Sequence, residues 1–315
     1  MKKIIIALAI AIICISTLGV FKDQIIKTVV TVAATQLTGA PVHIDGFALG
    51  IFRQVVRISG FKIYNPKGFS KSLLVDLPKI NVTYDLGALF KKKLHLINTE
   101  IELKEMGLEK NKEGELNVDA LTLVKQGKKQ SAKPSAQMPM QFDTLQLGIG
   151  RIVLKDYSSG KTPVVKVYDI NIHKSYRNIS SAQQLAGLIL AEPMKEAGIQ
   201  GVKIYGVAML AGAAVLPVAV ATTFAGRDSV EQEFLTNPEN VFEASLTVLK
   251  GMGKITREDK SSGVIDAEVN SASVAVKITK KEGNKTKIVI SARKYLLPKP
   301  EIAGGILYEV SEELK

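Results

Sequence analysis

The chain has 315 residues, 42 Lys and Arg against 30 Asp and Glu, one cysteine and no tryptophan. A lone cysteine excludes an internal disulfide framework, and an aromatic share of 6% argues against a surface that stacks sugars or bases. The net charge of +12 is uneven, because residues 1–226 hold 28 basic and 16 acidic side chains while residues 227–315 hold 14 of each.

The basic excess has two readings. It attracts anionic headgroups, at about 1 kcal/mol per well-placed cation, or it supplies edge-strand lysines that prevent sheets from pairing with one another. The low aromatic share makes nucleic acid a poor third choice of partner.

Residues 4–21, IIIALAIAIICISTLGVF, are uncharged and follow Lys2 and Lys3. Eighteen residues at the helical rise span roughly 27 Å, close to the hydrocarbon thickness of a bilayer. The lysines mark the cytoplasmic side, so the remainder is expected outside it. Two fates stand. In one, Ile4 to Val20 span the membrane as a retained anchor. In the other the run is a cleaved signal peptide, with Thr17 and Gly19 as its small residues. Ile13 before Cys14 argues against lipid attachment. Residues 22–38 lack strong breakers, so the helix continues to Gly39 and Pro41, which favours retention.

Residues 41–126 read as strands. In 80–86 the alternation of Ile80, Val82 and Tyr84 with polar neighbours is the period of a half-buried strand, and 94–103 repeats it. In 56–64, Val56 and Ile58 share a face before the phase shifts at Gly60, which predicts a bulge or bend. Residues 86–90 predict a short helical or loop excursion ahead of Lys91, Lys92 and Lys93. GKKQSAKPSAQM (127–138) lacks apolar periodicity and reads as a linker.

Strands resume at 142–150, 151–156 and 163–173. Ser180 and Ser181 then cap a helix to about 198 that Pro193 should kink or divide. Residues 204–226 form a second uncharged stretch, rich in Ala, Gly and Val and interrupted by Pro217. A buried or amphipathic helix on the sheet is the favoured reading, with a second membrane span as the alternative. From Pro238 the pattern is a helix to about 252, strands at 254–259, 263–269, 273–280 and 285–293, and a closing helix over 301–314. That makes a compact α+β unit with room for one small core.

No catalytic, cofactor or metal site is expected. His43, His95 and His173 lie in or beside strands without a partner at metal-ligand spacing and read as surface or satisfied histidines. Asp156 reads as a turn cap, and Glu100, Glu102 and Glu105 as a solvated strand face. Ser180 and Ser181 lack the context of a nucleophile elbow. The functional candidates are the apolar faces formed by Val56, Ile58, Ile80, Val82, Tyr84, Ile101 and Leu103. Left uncovered they form an acyl-chain groove, worth about 0.8 kcal/mol per buried methylene. Covered by the 181–198 and 204–226 helices they are a core.

Several phrases carry a family resemblance: TGAPVHIDGFALG (38–50), VRISGFKIYNPKGF (56–69), LPKINVTYDLGALFKKKLHLINTEI (77–101), KNKEGELNVDAL (110–121) and GIGRIVLKDYSSGKTP (148–163). Together with the leading apolar run, they resemble the AsmA-like envelope proteins over some 170 residues. The resemblance implies a one-helix anchor in the bacterial inner membrane and a β-rich body in the periplasm. It also implies a non-enzymatic role in lipid handling, outer-membrane assembly or protein targeting to membranes. Phospholipid is the implied partner, with an envelope protein partner possible and no cofactor. Longer relatives form a curved sheet whose apolar face guides acyl chains. Here about 130 residues of strand, at roughly 3.3 Å each and folded back repeatedly, are too few to cross an envelope. Residues 229–315 resemble a small domain of unknown function in exported bacterial proteins and lipoproteins.

The expected fold is α+β: an N-terminal transmembrane helix, a curved antiparallel sheet body with covering helices, and a small helix–β-meander–helix domain. The expected divisions are 1–38, 39–226 and 229–315. The competing functional reading is an envelope interaction scaffold with a closed core.

Overall fold

The computed structural model describes residues 21–126, 139–160, 162–199, 214–216 and 229–315. Residues 4–20 of the expected anchor, the 127–138 linker and most of 204–226 lie outside these. Among the described residues no helix is long and apolar enough to cross a membrane. The extension of the apolar run is a helix, α1 (21–38), and it ends where expected. Gly39 takes φ +70 and its N–H donates to the Thr35 carbonyl at 2.8 Å, the left-handed cap that glycine provides without steric cost. One stripe of α1, Ile26, Val30, Ala34 and Leu37, is half-buried, whereas Phe21, Ile25, Val29 and Val32 are exposed.

The chain then builds a seven-stranded sheet in sequential order. Its strands are β1 (Val42–Gly50), β2 (Val55–Tyr64), β3 (Leu73–Tyr84), β4 (Leu94–Lys110), β5 (Met140–Asp156), β6 (Val164–Ile179) and β7 (Ala214–Leu216). β1–β2, β2–β3, β3–β4 and β6–β7 pair antiparallel. The short helix α2 (Leu86–Phe90) joins β3 to β4, capped by Asp85, whose carboxylate accepts from the N–H groups of Gly87 and Ala88. α3 (Thr122–Gln126) follows a 3-10 turn at Asn117–Ala120.

Four sequence expectations change here. Gly60 is not a bulge, since Ser59 faces Lys79 and Phe61 faces Leu77 in one register, and the slip lies at Ile63/Tyr64. Gly60 instead takes φ +60, and a Cβ there would stand 1.9 Å from Asp45 Oδ2. β5 is one strand, not two. Gly150 lets it approach β4, for a Cβ there would lie 2.5 Å from the Lys104 carbonyl. Pro193 does not divide α4 (Ala182–Glu196), which ends three residues after it; near the C-terminus the carbonyls it disturbs are few. Residues 214–216, read as helix, are a strand.

Two compact units result. One contains Met1–Met106, Val118–Gly150 and Asn171–Ala219; the other contains Gly107–Asn117, Arg151–Ile170 and Val220–Lys315. In the second, α5 (Pro238–Met252) begins at Asn237, whose side chain accepts from Asn240 N, with Pro238 in its first turn. A meander follows: β9 (Lys254–Asp259), β10 (Val264–Val269), β11 (Ala272–Lys281) and β12 (Lys285–Lys294). Two strands that sequence patterning did not show, β8 (Ser229–Phe234) and β13 (Leu297–Pro298), both pair with β12. α6 (Pro300–Glu313) closes the unit. Strict alternation along β11 and β12 buries Val274, Val276, Ile278, Ile288 and Ile290 with Phe242, Leu249 and Ile306 from the helices.

Candidate functional site

The N-terminal sheet has two chemically different faces because strand side chains alternate and the registers align. Phe47, Ile58, Ile80 and Ile101 form one cross-strand rung, and Leu49, Val56, Val82 and Thr99 the next on the same face. On the opposite face Gly46, Ser59, Lys79 and Glu102 line up, then Ala48, Arg57, Asn81 and Glu100. Five of the seven groove candidates therefore lie on two adjacent apolar rungs, with Tyr84 opposite Leu96 beyond them.

Their burial divides them. Ile80, Tyr84, Ile101 and Leu103 are buried, at 8% exposure or less. Val56, Ile58 and Val82 are half-buried, as are Phe47 and Leu49 next to them on β1. The apolar face is sealed towards β4 and partly open towards β1.

The polar face is a network. Glu100 accepts from Asn81 Nδ2 at 2.9 Å and meets Lys79 Nζ at 3.1 Å; both bonds hold its carboxyl below the usual range. Further along β1, in the alternation phase of Phe47 and Leu49 rather than of this polar face, Asp45 lies 2.8 Å from Lys62 Nζ and 3.2 Å from His43 Nε2. The Lys62 ammonium holds Asp45 below the usual carboxylate range. His173 faces Glu102 at 3.7 Å. His95 sits between Asp143, at 2.7 Å, and Asp85, at 3.5 Å. His95 is hydrogen-bonded to a carboxylate, while His43 and His173 are exposed with a carboxylate nearby. For His95 and His173 the partners come from distant strands, which local spacing cannot show. Among the described residues no group of three or more His, Cys, Asp or Glu is placed to hold a metal ion.

Asp156 is a turn cap, accepting from the Ser158 N–H at 2.9 Å and from its hydroxyl at 2.5 Å. Burial pushes its carboxyl up, but Ser158 and Lys110 outweigh this and hold it below the usual range. Ser181 caps α4 by accepting from Gln184 N, and Gln184 Oε1 accepts from the N–H of Ser180, the residue before the cap, at 2.6 Å. Glu105 faces Asp76 across β3–β4.

Two features have no signal in the sequence pattern. Lys174 of β6 reaches Glu192 at 2.8 Å and Glu196 at 2.5 Å on α4, all three mostly buried. Burial opposes the charge of Lys174, yet the two carboxylates raise its pKa. The second feature is a set of exposed apolar side chains in the connections of the N-terminal sheet: Ile51 and Phe52 between β1 and β2, and Leu89 and Phe90 in α2. In the second unit a cleft of about 840 Å³ is lined by Arg151, Asp169, Glu231, Glu312 and Lys315 around Tyr308. Its mixed charges favour neither an anion nor a cation.

The AsmA family model matches residues 2–285, well beyond the stretch whose phrases carry the resemblance and into the C-terminal meander. No curated protein matches the chain. The AsmA family is associated with the bacterial envelope and is not known for enzymatic activity. With its two-faced N-terminal sheet and a match over most of its length, the chain belongs to the AsmA family.

Proposed function

We propose that this is a non-enzymatic envelope protein that handles phospholipid acyl chains on the apolar face of its N-terminal sheet. Residues 4–21 anchor it in the inner membrane, with the bulk of the chain in the periplasm. The observation that carries this reading is the half-open pair of rungs, Phe47–Ile58 and Leu49–Val56, in a chain of this family. An acyl chain moving from bilayer to such a face exchanges one apolar surroundings for another. The face therefore lowers the cost of exposing methylenes to water, about 0.8 kcal/mol each, without holding the lipid tightly. That suits transfer rather than storage.

A benzophenone amino acid placed at Val56, Ile58 or Val82 tests the reading by photo-crosslinking in membranes, with mass spectrometry of the adducts. Phospholipid adducts are expected at these three positions and not at Arg57 or Asn81 on the polar face. Adducts equal on both faces, or none, would show a closed core and favour the scaffold reading. Reporter fusions after residues 130, 230 and 315 should all report export. Cytoplasmic signals at 230 and 315 would make 204–226 a second span.

A further inference from the structure

Three connections converge at one end of the N-terminal sheet. Phe21 lies in α1, where Lys22 Nζ donates to the Leu49 carbonyl at 2.7 Å and Asp23 accepts from Leu49 N at 3.0 Å. This ties α1 to the end of β1. Gln54, held at φ 52, ties the β1–β2 turn to α2: its carbonyl accepts from Tyr84 N at 3.0 Å and its Oε1 from Leu86 N at 2.9 Å. The apolar side chains at this end point into solvent. Phe52 is 100% exposed and Phe90 82%, with Phe21, Ile51 and Leu89 exposed beside them. Scattered exposed apolar residues are ordinary, but several in adjoining turns form a patch that needs an occupant.

Charge and chain connectivity identify that occupant. Arg53, Lys91 and Lys92 are exposed, and none has an ion pair among the described residues. The carboxylates at this end are already engaged. Asp23 is held by Lys22 and Leu49 N, Asp85 by the α2 amides and His95, and Asp143 by His95 and Gln141. The end therefore presents aromatic and aliphatic tips among uncompensated cations, the composition that partitions into an anionic lipid interface. The apolar run 4–20 also joins the described chain here, at Phe21.

We propose that this end of the sheet is a membrane-docking site, in which Phe52 and Phe90 insert at the headgroup–acyl boundary of an anionic leaflet and Arg53, Lys91 and Lys92 bind its phosphates. The site rests on the membrane-facing reading above and extends it by stating where the sheet meets lipid. It places the open rungs, which lead to Leu49 and Val56, directly at the bilayer surface.

The absence of tryptophan gives a direct test. Phe52→Trp, Phe90→Trp, Leu18→Trp in the apolar run and Tyr295→Trp at an exposed turn of the second unit are each made singly in the full chain. Each is reconstituted in nanodiscs of phosphatidylcholine with or without phosphatidylglycerol. Phe52→Trp and Phe90→Trp remove exposed side chains, so folding is not at stake. Both are expected to emit to the blue of Tyr295→Trp and to be quenched several-fold more strongly by lipid bearing a quencher near the headgroup. Adding Arg53→Glu, Lys91→Glu and Lys92→Glu together should abolish most of that quenching. Positions 52 and 90 emitting like 295 while position 18 is quenched would overturn docking and leave the anchor standing. Quenching at 52 and 90 but not at 18 would support docking while removing the anchor. No quenching at any of the three would remove both.

Discussion

The two sheets treat the same kind of side chain differently. In the C-terminal meander the apolar face is sealed by α5 and α6, and Ile290 has no exposed surface. In the N-terminal sheet the equivalent rung runs from buried Ile101 and Ile80 to half-buried Ile58. β11 and β12 alternate strictly, and the N-terminal strands alternate across the two apolar rungs, so over that stretch the alternation is the same and the cover is not. A face that serves only as a core is closed along its whole width. The N-terminal face is closed at one side and left partly open at the other, next to a helix whose Phe21, Ile25, Val29 and Val32 are also uncovered.

Matched truncations break or sharpen this contrast. Ile290→Ala should destabilise the C-terminal unit by about 3–4 kcal/mol, transfer and cavity terms together. Hydrogen exchange at the β11 and β12 amides measures it without averaging over the two units. Lys174→Ala leaves Glu192 and Glu196 facing one another in a mostly buried site, at a cost of about 2–3 kcal/mol. Lys174→Met with Glu192→Leu should recover most of it, as exchange in α4 would show. Gly60→Ala forces a side chain into a left-handed conformation and against Asp45, costing about 1–2 kcal/mol. Adding Asp45→Ala should restore only the steric part.

Ile58→Ala, chemically the same change as Ile290→Ala, should cost less, about 1–2 kcal/mol, because part of the Ile58 side chain is already solvated. Equal losses at 58 and 290 would mean that the N-terminal face is sealed after all. The smallest effect concerns acid. Asp156 is held below its ordinary 3.8, so its contribution is present above that pH and lost as pH falls through the folded-state value. Partial exposure keeps it below about 1 kcal/mol. Asp156→Asn should flatten the decline of the urea midpoint below pH 4 and change little at pH 7.

Local rules carried much of this fold. Alternation located β2, β3 and β4. Ser180 with Ser181, and Pro238, marked two helix starts, which the structure confirms with caps from Ser181 and Asn237 that need only neighbouring residues. The misreadings share one cause. Gly60 and Gly150 read as interruptions because glycine lacks a side chain to pack, yet each makes room for a group from another strand. Residues 214–216 show helix-like composition and join a strand whose edge sequence cannot locate. The apolar rungs were legible as faces, but their cover was not, since burial depends on what packs above. The exposed tip at Phe52 and Phe90 was invisible for the same reason. In sequence an apolar residue in a turn looks identical whether it is covered or bare.

α1 also governs how the sheet meets other chains. The Leu49 amide and carbonyl and the Asp45 carbonyl are already bonded to Asp23, Lys22 and Lys27. β1 is the outer strand on that side, and outer strands invite a neighbour's backbone to pair with them. Here the helix works as a bolt across that margin. Three side chains from a single helix thus occupy backbone groups at Asp45 and Leu49 that a neighbouring strand would otherwise pair with.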